Sequence, residues 1–339
     1  MLTELSLHPH LIEATQALGF ESATQVQERA VPLVLNNKDL LVSAATGSGK
    51  TVAFLLPILH RILAKQAESK AIRALVLVPV RELADQIVKA GTELAQFTTL
   101  NLLSVTGGKD FKVQERALKR LPDIVVATPG RLIEHLENES LSLSELDVLV
   151  LDEADRMLDM GFIHDIRRVI SRLPDRRQTL MFSATFSAPI RKLATGLLDH
   201  PVQIQVAPAN QTVRSVEQVV HPCDMVRKID LLSHLIRSGD WLQVLVFSRT
   251  KHGANRVVER LSQQGLLAAA IHGNKSQGAR TRALQGFKDG SVRVLVATDI
   301  AARGIDIQQL PHVVNLDLPN VAEDYVHRIG RTGRAGETG

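Results

Sequence analysis

Residues 44–51 read Ala44-Ala45-Thr46-Gly47-Ser48-Gly49-Lys50-Thr51, between an apolar run at 40–43 and a stretch suited to a helix at 51–64. A strand, a glycine-turned loop, then lysine and a hydroxyl at the head of a helix form the usual setting for phosphate binding. Gly47 and Gly49 let backbone N–H groups turn inward around phosphate oxygens, and the positive end of the following helix adds attraction. Lys50 is spaced to reach terminal phosphates and the Thr51 hydroxyl to bind Mg²⁺. The full template wants glycine where Ala44 stands, so an ordinary glycine-rich turn is the plainer alternative. Strand, lysine, threonine and helix in register favour phosphate.

A second cluster, Asp152-Glu153-Ala154-Asp155, follows the apolar stretch 147–151. A carboxylate at the end of a parallel strand lies on the edge where such sheets bind ligands. Asp152 is placed to hold Mg²⁺, usually through water, and Glu153 to orient or deprotonate an attacking water. Alone, three acids in four residues would more often open a solvated helix; beside the loop at 44–51 the nucleotide reading is stronger. A third group is His327-Arg328-Ile329-Gly330-Arg331-Thr332-Gly333-Arg334. If a helix starts at Asn320, with Glu323 completing a capping box, then His327, Arg331 and Arg334 fall on one face. A solvated basic face is the bland reading. The alternative is a pair of arginines presented to a γ-phosphate, a device worth about 10³–10⁵ in rate.

These groups need rigid elements to hold them. Short apolar runs alternate with longer amphipathic stretches, which predicts parallel sheets covered by helices. Strands are expected at 40–43, 74–78, 124–127, 148–151, 244–247, 268–271, 292–297 and 312–315, and helices at 51–64, 81–95 and 253–264. The halves echo each other: 75–81 (LVLVPVR) resembles 244–249 (VLVFSR), and 124–128 (IVVAT) resembles 294–298 (VLVAT) at nearly the same offset. That pairing favours a duplicated α/β domain. The stretch 199–214 lacks helical periodicity and is the expected linker region, which divides the chain into 1–205, a linker at 206–214, and 215–339.

With 339 residues the chain exceeds what one core usually serves. Hydrophobic residues make up 45% and charged residues 22%, ordinary for a globular protein. No apolar run is long enough to span a membrane, and no secretory signal opens the chain, so a cytoplasmic location is expected. Cys223 is the only cysteine, which excludes an internal disulfide and a cysteine metal cluster. A net charge of +4 is compatible with a nucleic-acid partner. With nine Phe, one Tyr and one Trp, a surface that stacks many bases is not expected, and contact would run mainly through phosphates and backbone amides.

In order, the motifs resemble the DEAD-box RNA helicases. They are Gly19-Phe20…Thr24…Gln27, the loop at 44–51, Pro79-Val80-Arg81-Glu82-Leu83, Thr106-Gly107-Gly108, Thr128-Pro129-Gly130-Arg131, Asp152 to Asp155 and Ser183-Ala184-Thr185. The second half adds residues 246–250, Gln277…Arg280, Ala297-Thr298-Asp299…Ala302-Arg303-Gly304-Ile305-Asp306, and 327–334; residues 270–278 (AIHGNKSQG) point to the bacterial RhlE-type group. The resemblance spans nearly the whole chain. It implies two tandem RecA-like domains, each a mostly parallel sheet flanked by helices, acting as an RNA-stimulated ATPase that separates short duplexes or remodels RNA–protein complexes.

The resemblance also implies roles. Gln27 would read adenine, with Phe20 and Thr24 shaping the pocket; Ser183, Thr185 and His327 would couple the ATP and RNA sites; Asp306 would contact ribose; Arg331 and Arg334 would contact the γ-phosphate. RNA phosphates and 2′-hydroxyls would meet Arg81, Gly108, Thr128, Gly130 and Arg131 in the first domain. In the second they would meet Arg249, Gly273, Gln277, Arg280 and Thr298. ATP and RNA would each favour domain closure, so each should strengthen the other's binding. Closure would bend one strand out of A-form, at an unstacking cost of a few kcal/mol per step. Ribosome-assembly and RNA-decay complexes are the partners that the family offers.

Four departures stand out. Leu2 replaces an aromatic that packs on adenine, and Ala23 a common proline. Val80 replaces a threonine whose hydroxyl contacts RNA, a hydrogen bond of about 0.5–1.5 kcal/mol. Relatives continue past the position of Gly339 with a further strand and helix, so the second domain is expected to lack them and to expose a sheet edge. Other readings are a clamp or annealing module using nucleotide as a switch, a P-loop kinase, disfavoured because no acceptor motif accompanies the loop, and a DNA motor, opposed only by the resemblance.

Overall fold

The computed structural model describes residues 7–44, 47–65, 70–184, 186–206, 216–299, 310–319 and 322–332, with the side chains of 322, 323 and 327 outside the description. Ala45, Thr46, Thr185, Asp306 and Arg334 therefore lie outside the described residues, as do Leu2, most of the expected linker and the His327 side chain. The chain divides into two compact units, Met1–Pro208 and Ala209–Gly339.

The first unit is built on β1 (Leu40–Ser43), β2 (Ala74–Leu77), β3 (Leu102–Val105), β4 (Ile124–Ala127), β5 (Val148–Leu151), β6 (Gln178–Ser183) and β7 (Val202–Gln205). They form one sheet in the order β3-β4-β2-β5-β6-β1-β7, every pair parallel. Its helices are α1 (Pro9–Ala17), α2 (Gln25–Leu35), α3 (Lys50–Lys65), α4 (Arg81–Leu94), α5 (Phe111–Leu118), α6 (Pro129–Glu137), α7 (Ala154–Asp159), α8 (Ile163–Ile170) and α9 (Ala188–Thr195). Successive strand residues enter opposite cores, as the pleat requires. Val42, Val76, Val126, Val150 and Phe182 pack on one face, and Leu41, Leu75, Val125, Leu149 and Met181 on the other. Burial on both faces is why the central strands read as unbroken apolar runs.

The second unit contains α10 (Lys228–Ser238), β8 (Val244–Phe247), α11 (Lys251–Gln263), β9 (Ala268–Ile271), α12 (Gln277–Lys288), β10 (Val294–Ala297), β11 (His312–Asn315) and α13 (Ala322–Ile329). Its parallel sheet runs β11-β8-β10-β9. The echoed segments occupy matching places: β2 pairs with β4, and β8 with β10.

β7, which ends at Gln205, pairs with β1 from Leu40↔Val202 to Ser43↔Gln205. One expectation is corrected. The helix expected to carry His327, Arg331 and Arg334 on one face stops at Ile329, so Arg331 stands in the turn beyond it. The cause is local: Gly330 follows at once, and glycine is a poor helix former.

Candidate active site

The parallel register decides which loops meet. In the order β5-β6-β1, Ser43 pairs with Ser183 and Leu151 with Met181, so the ends of all three strands share one edge. Strands are about 4.8 Å apart, which puts the residues after β1 and β5 about 10 Å apart with the end of β6 between them. Lys50 opens α3 and is buried, and its Nζ donates to the Ala44 carbonyl at 3.0 Å. Thr51 follows, half-buried. Gly47 and Gly49 have φ of +77° and +93°. A Cβ on Gly49 would stand 2.5 Å from Gln27 Nε2 and 2.7 Å from Thr24 Oγ1, so no side chain fits there.

Gln27 does two jobs at once. Its Oε1 accepts the Thr24 N–H at 2.9 Å, capping α2, and its Nε2 donates to the Gly49 carbonyl at 3.2 Å. Gln27 is buried while Phe20 is exposed. One residue therefore links the α2 N-terminus to the glycine loop.

Asp152 is 3% exposed, and its carboxyl is pushed up to about 6 by burial and by the neighbouring Glu153, against the pull of Lys50. A buried acid of this kind gains from a cation beside it. Glu153 adopts a left-handed backbone, φ 52° and ψ 48°, immediately before α7. Arg156, one turn on and buried, donates from Nη1 to Glu153 Oε2 at 2.9 Å. Ala184 joins the loops through its backbone: its N–H donates to Asp155 Oδ2 at 3.1 Å, and its carbonyl accepts from Ser43 Oγ at 3.1 Å. Beside it the Ala44 N–H donates to the Ser183 carbonyl at 3.2 Å, and Ser183 is fully buried.

The other half of the edge carries the RNA candidates. In the order β3-β4-β2, the loop holding Gly108 follows β3, Thr128 follows β4, and Arg81 follows β2 at the head of α4. Gly108 has φ +79°, and a Cβ there would collide with the Arg81 guanidinium. Thr128 is the N-cap of α6, where Gly130 has open space beside it. Arg131 Nη1 donates to the Lys109 carbonyl at 2.8 Å. Val80 is the N-cap of α4 and provides no side-chain cap.

The second sheet repeats the trio. In the order β9-β10-β8, Gly273 follows β9, Thr298 follows β10 and Arg249 follows β8. The Arg249 N–H donates to Asp317 Oδ2 at 3.0 Å and its Nη2 to the Leu318 carbonyl at 3.3 Å. Gln277 opens α12, and Arg280 one turn later is buried. Arg331 is buried, and its carbonyl accepts from Leu310 N–H at 3.0 Å. Arg328 clamps Asp299 in a fork, at 2.6 and 2.7 Å.

Arg156 was not evident from sequence, because a charged residue just after three acids reads as part of a solvated helix start. Its i+3 spacing from Glu153 was the available signal. Among the described residues, no group of three or more His, Cys, Asp or Glu could hold a metal ion, and no helix is long and apolar enough to cross a membrane.

The chain is similar over nearly its whole length to known proteins. Residues 24–193 match the DEAD/DEAH box helicase family and residues 227–336 the helicase conserved C-terminal domain. The chain is 42% identical to the DEAD-box ATP-dependent RNA helicase CshA of Geobacillus kaustophilus, covering 99% of this chain and 71% of that protein. It is also 42% identical to CshA of Bacillus subtilis, over 99% of this chain and 67% of that one. Among solved structures, S. cerevisiae Dbp5 bound to RNA and ADP BeF3 matches with a TM-score of 0.89 and 32% identity, over 99% of this chain and 87% of that one. A DEAD box protein from Methanococcus jannaschii matches with a TM-score of 0.58 and 36% identity, over 99% and 90%.

Proposed function

This chain belongs to the DEAD-box ATP-dependent RNA helicases, and from that membership we propose that it hydrolyses ATP in an RNA-stimulated manner and separates short RNA duplexes. Both of its units are RecA-like. The observation that carries the reading is the shared edge of β5, β6 and β1, with Lys50, Asp152, Glu153 and Ser183 at their ends.

Within this reading, Lys50 and the amides of the glycine loop bind the β- and γ-phosphates. Gln27 reads the adenine edge, with Phe20 and Thr24 beside it. Glu153 accepts the proton of the attacking water, held in place by Arg156. The Thr51 hydroxyl and the buried Asp152 carboxylate fit a Mg²⁺ ion, which would neutralise charge on the phosphate oxygens. Arg81, Gly108, Thr128, Gly130 and Arg131 grip RNA phosphates from the first unit, and Arg249, Gly273, Gln277, Arg280 and Thr298 from the second. These contacts address the backbone, so little sequence selectivity follows. Arg331 and Arg334 act in turnover, and Thr185, His327 and Asp306 keep their family roles. The RhlE-type subgroup rests on residues 270–278 alone. A cytoplasmic place, and partners in ribosome assembly or RNA decay, belong to the same proposal; co-purification from lysate with and without RNase tests them.

ATPase assays with RNA, with DNA and with neither test the main reading. RNA alone should stimulate, and equal stimulation by DNA would favour a DNA motor. Strand displacement faster than controls separates a helicase from a clamp. Lys50→Ala and Glu153→Gln should each lower turnover by about 10²–10³-fold or more. Arg156→Ala should lower kcat by about 10²-fold through a misplaced carboxylate, with Arg156→Lys recovering part. Arg331→Ala should lose turnover while still binding ATP, and full hydrolysis by that variant would remove Arg331 from the mechanism.

A further inference from the structure

The loop 106–110 turns between β3 and α5, and one side chain bonds to both of its ends. Gln114, on α5, is 4% exposed. Its Oε1 accepts the Thr106 N–H at 2.9 Å. Its Nε2 donates to the carbonyls of Thr106 at 3.2 Å, Lys109 at 3.3 Å and Asp110 at 3.4 Å. One amide thus answers four backbone groups of a five-residue segment. A carboxylate could only accept at these positions, an ammonium could only donate, and an aliphatic side chain could do neither. The Gln114 amide and Thr106 are buried, so at that end of the loop water does not replace a lost partner cheaply.

The held loop is the one that Arg81 and Arg131 both reach. Arg131 donates to the same Lys109 carbonyl that Gln114 holds. Arg81 lies across Gly108, close enough that a methyl group there would collide with its guanidinium. The rest of α5 is fixed to α6: Phe111 stacks on His135 with centroids 4.1 Å apart, and the Arg131 guanidinium lies 5.9 Å from the Phe111 ring. Loop backbone and both arginines therefore depend on where α5 holds residues 106–110.

We propose that Gln114 is a positioning residue for RNA: it fixes the backbone of residues 106–110 so that Gly108, Arg81 and Arg131 form one phosphate-binding surface. It touches neither RNA nor ATP and acts through the loop. This rests on the reading of Arg81, Gly108 and Arg131 as RNA contacts.

The test is RNA-stimulated ATPase of the full chain, with Gln114→Met, which keeps the length of the side chain and removes all four hydrogen bonds. The RNA concentration for half-maximal stimulation should rise about 5- to 10-fold, while basal ATPase and kcat at saturating RNA stay within about two-fold. Gln114→Glu, which keeps only the acceptor, should fall between Gln114→Met and the parent, and serves as the test variant if Gln114→Met does not fold. Combined with Arg81→Ala, the effect of Gln114→Met should be less than multiplicative, because both act on one surface. An unchanged half-maximal RNA concentration in a folded Gln114 variant overturns the proposal. So does a loss of kcat and basal activity in step with RNA affinity, which marks a part of the core only. If Arg81→Ala raises the RNA requirement and Gln114→Met does not, this inference alone fails. If Arg81→Ala leaves it unchanged, the underlying reading fails and takes the inference with it.

Discussion

The two sheets present the same three residue types at the ends of three adjacent strands: Gly108, Thr128 and Arg81 in the first unit, Gly273, Thr298 and Arg249 in the second. They hold them by different means. In the first, the glycine loop is fastened by the buried neutral amide of Gln114, and the glycine itself is crowded by Arg81. In the second, the fastening is charged and nearer the surface. Asp317 accepts from the Arg249 N–H at 3.0 Å and from Lys228 Nζ at 3.3 Å, and Lys251 Nζ donates to Asn274 Oδ1 at 2.9 Å across an exposed pair. A shared plan thus fixes where the chain ends its strands, while the means of holding each loop is set locally.

The largest test of that contrast removes the charged fastening. Asp317→Ala leaves Lys228 Nζ with the Leu316 carbonyl alone, at 2.8 Å, and frees the Arg249 N–H; it should destabilise the second unit by about 2 kcal/mol. Amide exchange should quicken in β8 and β11 and stay unchanged in β5 and β6; uniform quickening would contradict local holding. Next, Gly108→Ala should raise the RNA requirement for ATPase stimulation about 10-fold, since a side chain meets both a positive φ and Arg81. Gly273 has nothing within 4 Å of an added Cβ, so Gly273→Ala should stay within about two-fold. Equal effects would erase the distinction.

A smaller effect concerns pH. His135 is fully buried and its pKa is lowered by burial and by Arg131, against the pull of Glu134 and Glu115. The folded chain therefore favours neutral imidazole more than the unfolded chain does. Its contribution is complete above the ordinary value of 6.5 and is lost as pH falls below it. Thermal melts of the parent from pH 7.5 to 5 should show a decline that His135→Phe flattens. Smallest is Val80→Thr, which restores a hydroxyl beside Arg81. Ser248, the residue before Arg249, already has one, 3.5 Å from Asp317 Oδ2. RNA should bind Val80→Thr a few-fold more tightly, within the worth of one hydrogen bond; equilibrium titration checks it.

Much of this was legible in the residue order. β1, β2, β4, β5, β8 and β10 read directly as apolar runs because both their faces are covered. β6 did not stand out, since it begins with Gln178 and Thr179. Their polarity is absorbed locally: Gln178 Nε2 donates to the Val34 and Lys38 carbonyls, and Asp39 accepts the Thr179 N–H. β3 and β7 lie at the sheet margins, where burial is partial and the apolar signal is correspondingly thin. The motifs named the residues at the strand ends, but strand order comes from pairing across long separations, and no local pattern encodes it. Gln114 and Arg156 escaped notice for a related reason. Both are polar side chains on short helices, and only their partners in space reveal them as buried.

Ala184 gives the molecule a different kind of security. The tie between the last residue of β1 and the acids after β5 runs through its peptide N–H and carbonyl, and every amino acid except proline supplies both. Ordinary substitution at position 184 therefore leaves that link in place. It is a junction written in the main chain, open to attack by Ala184→Pro or through the side chains of Ser43 and Asp155, and otherwise indifferent to drift.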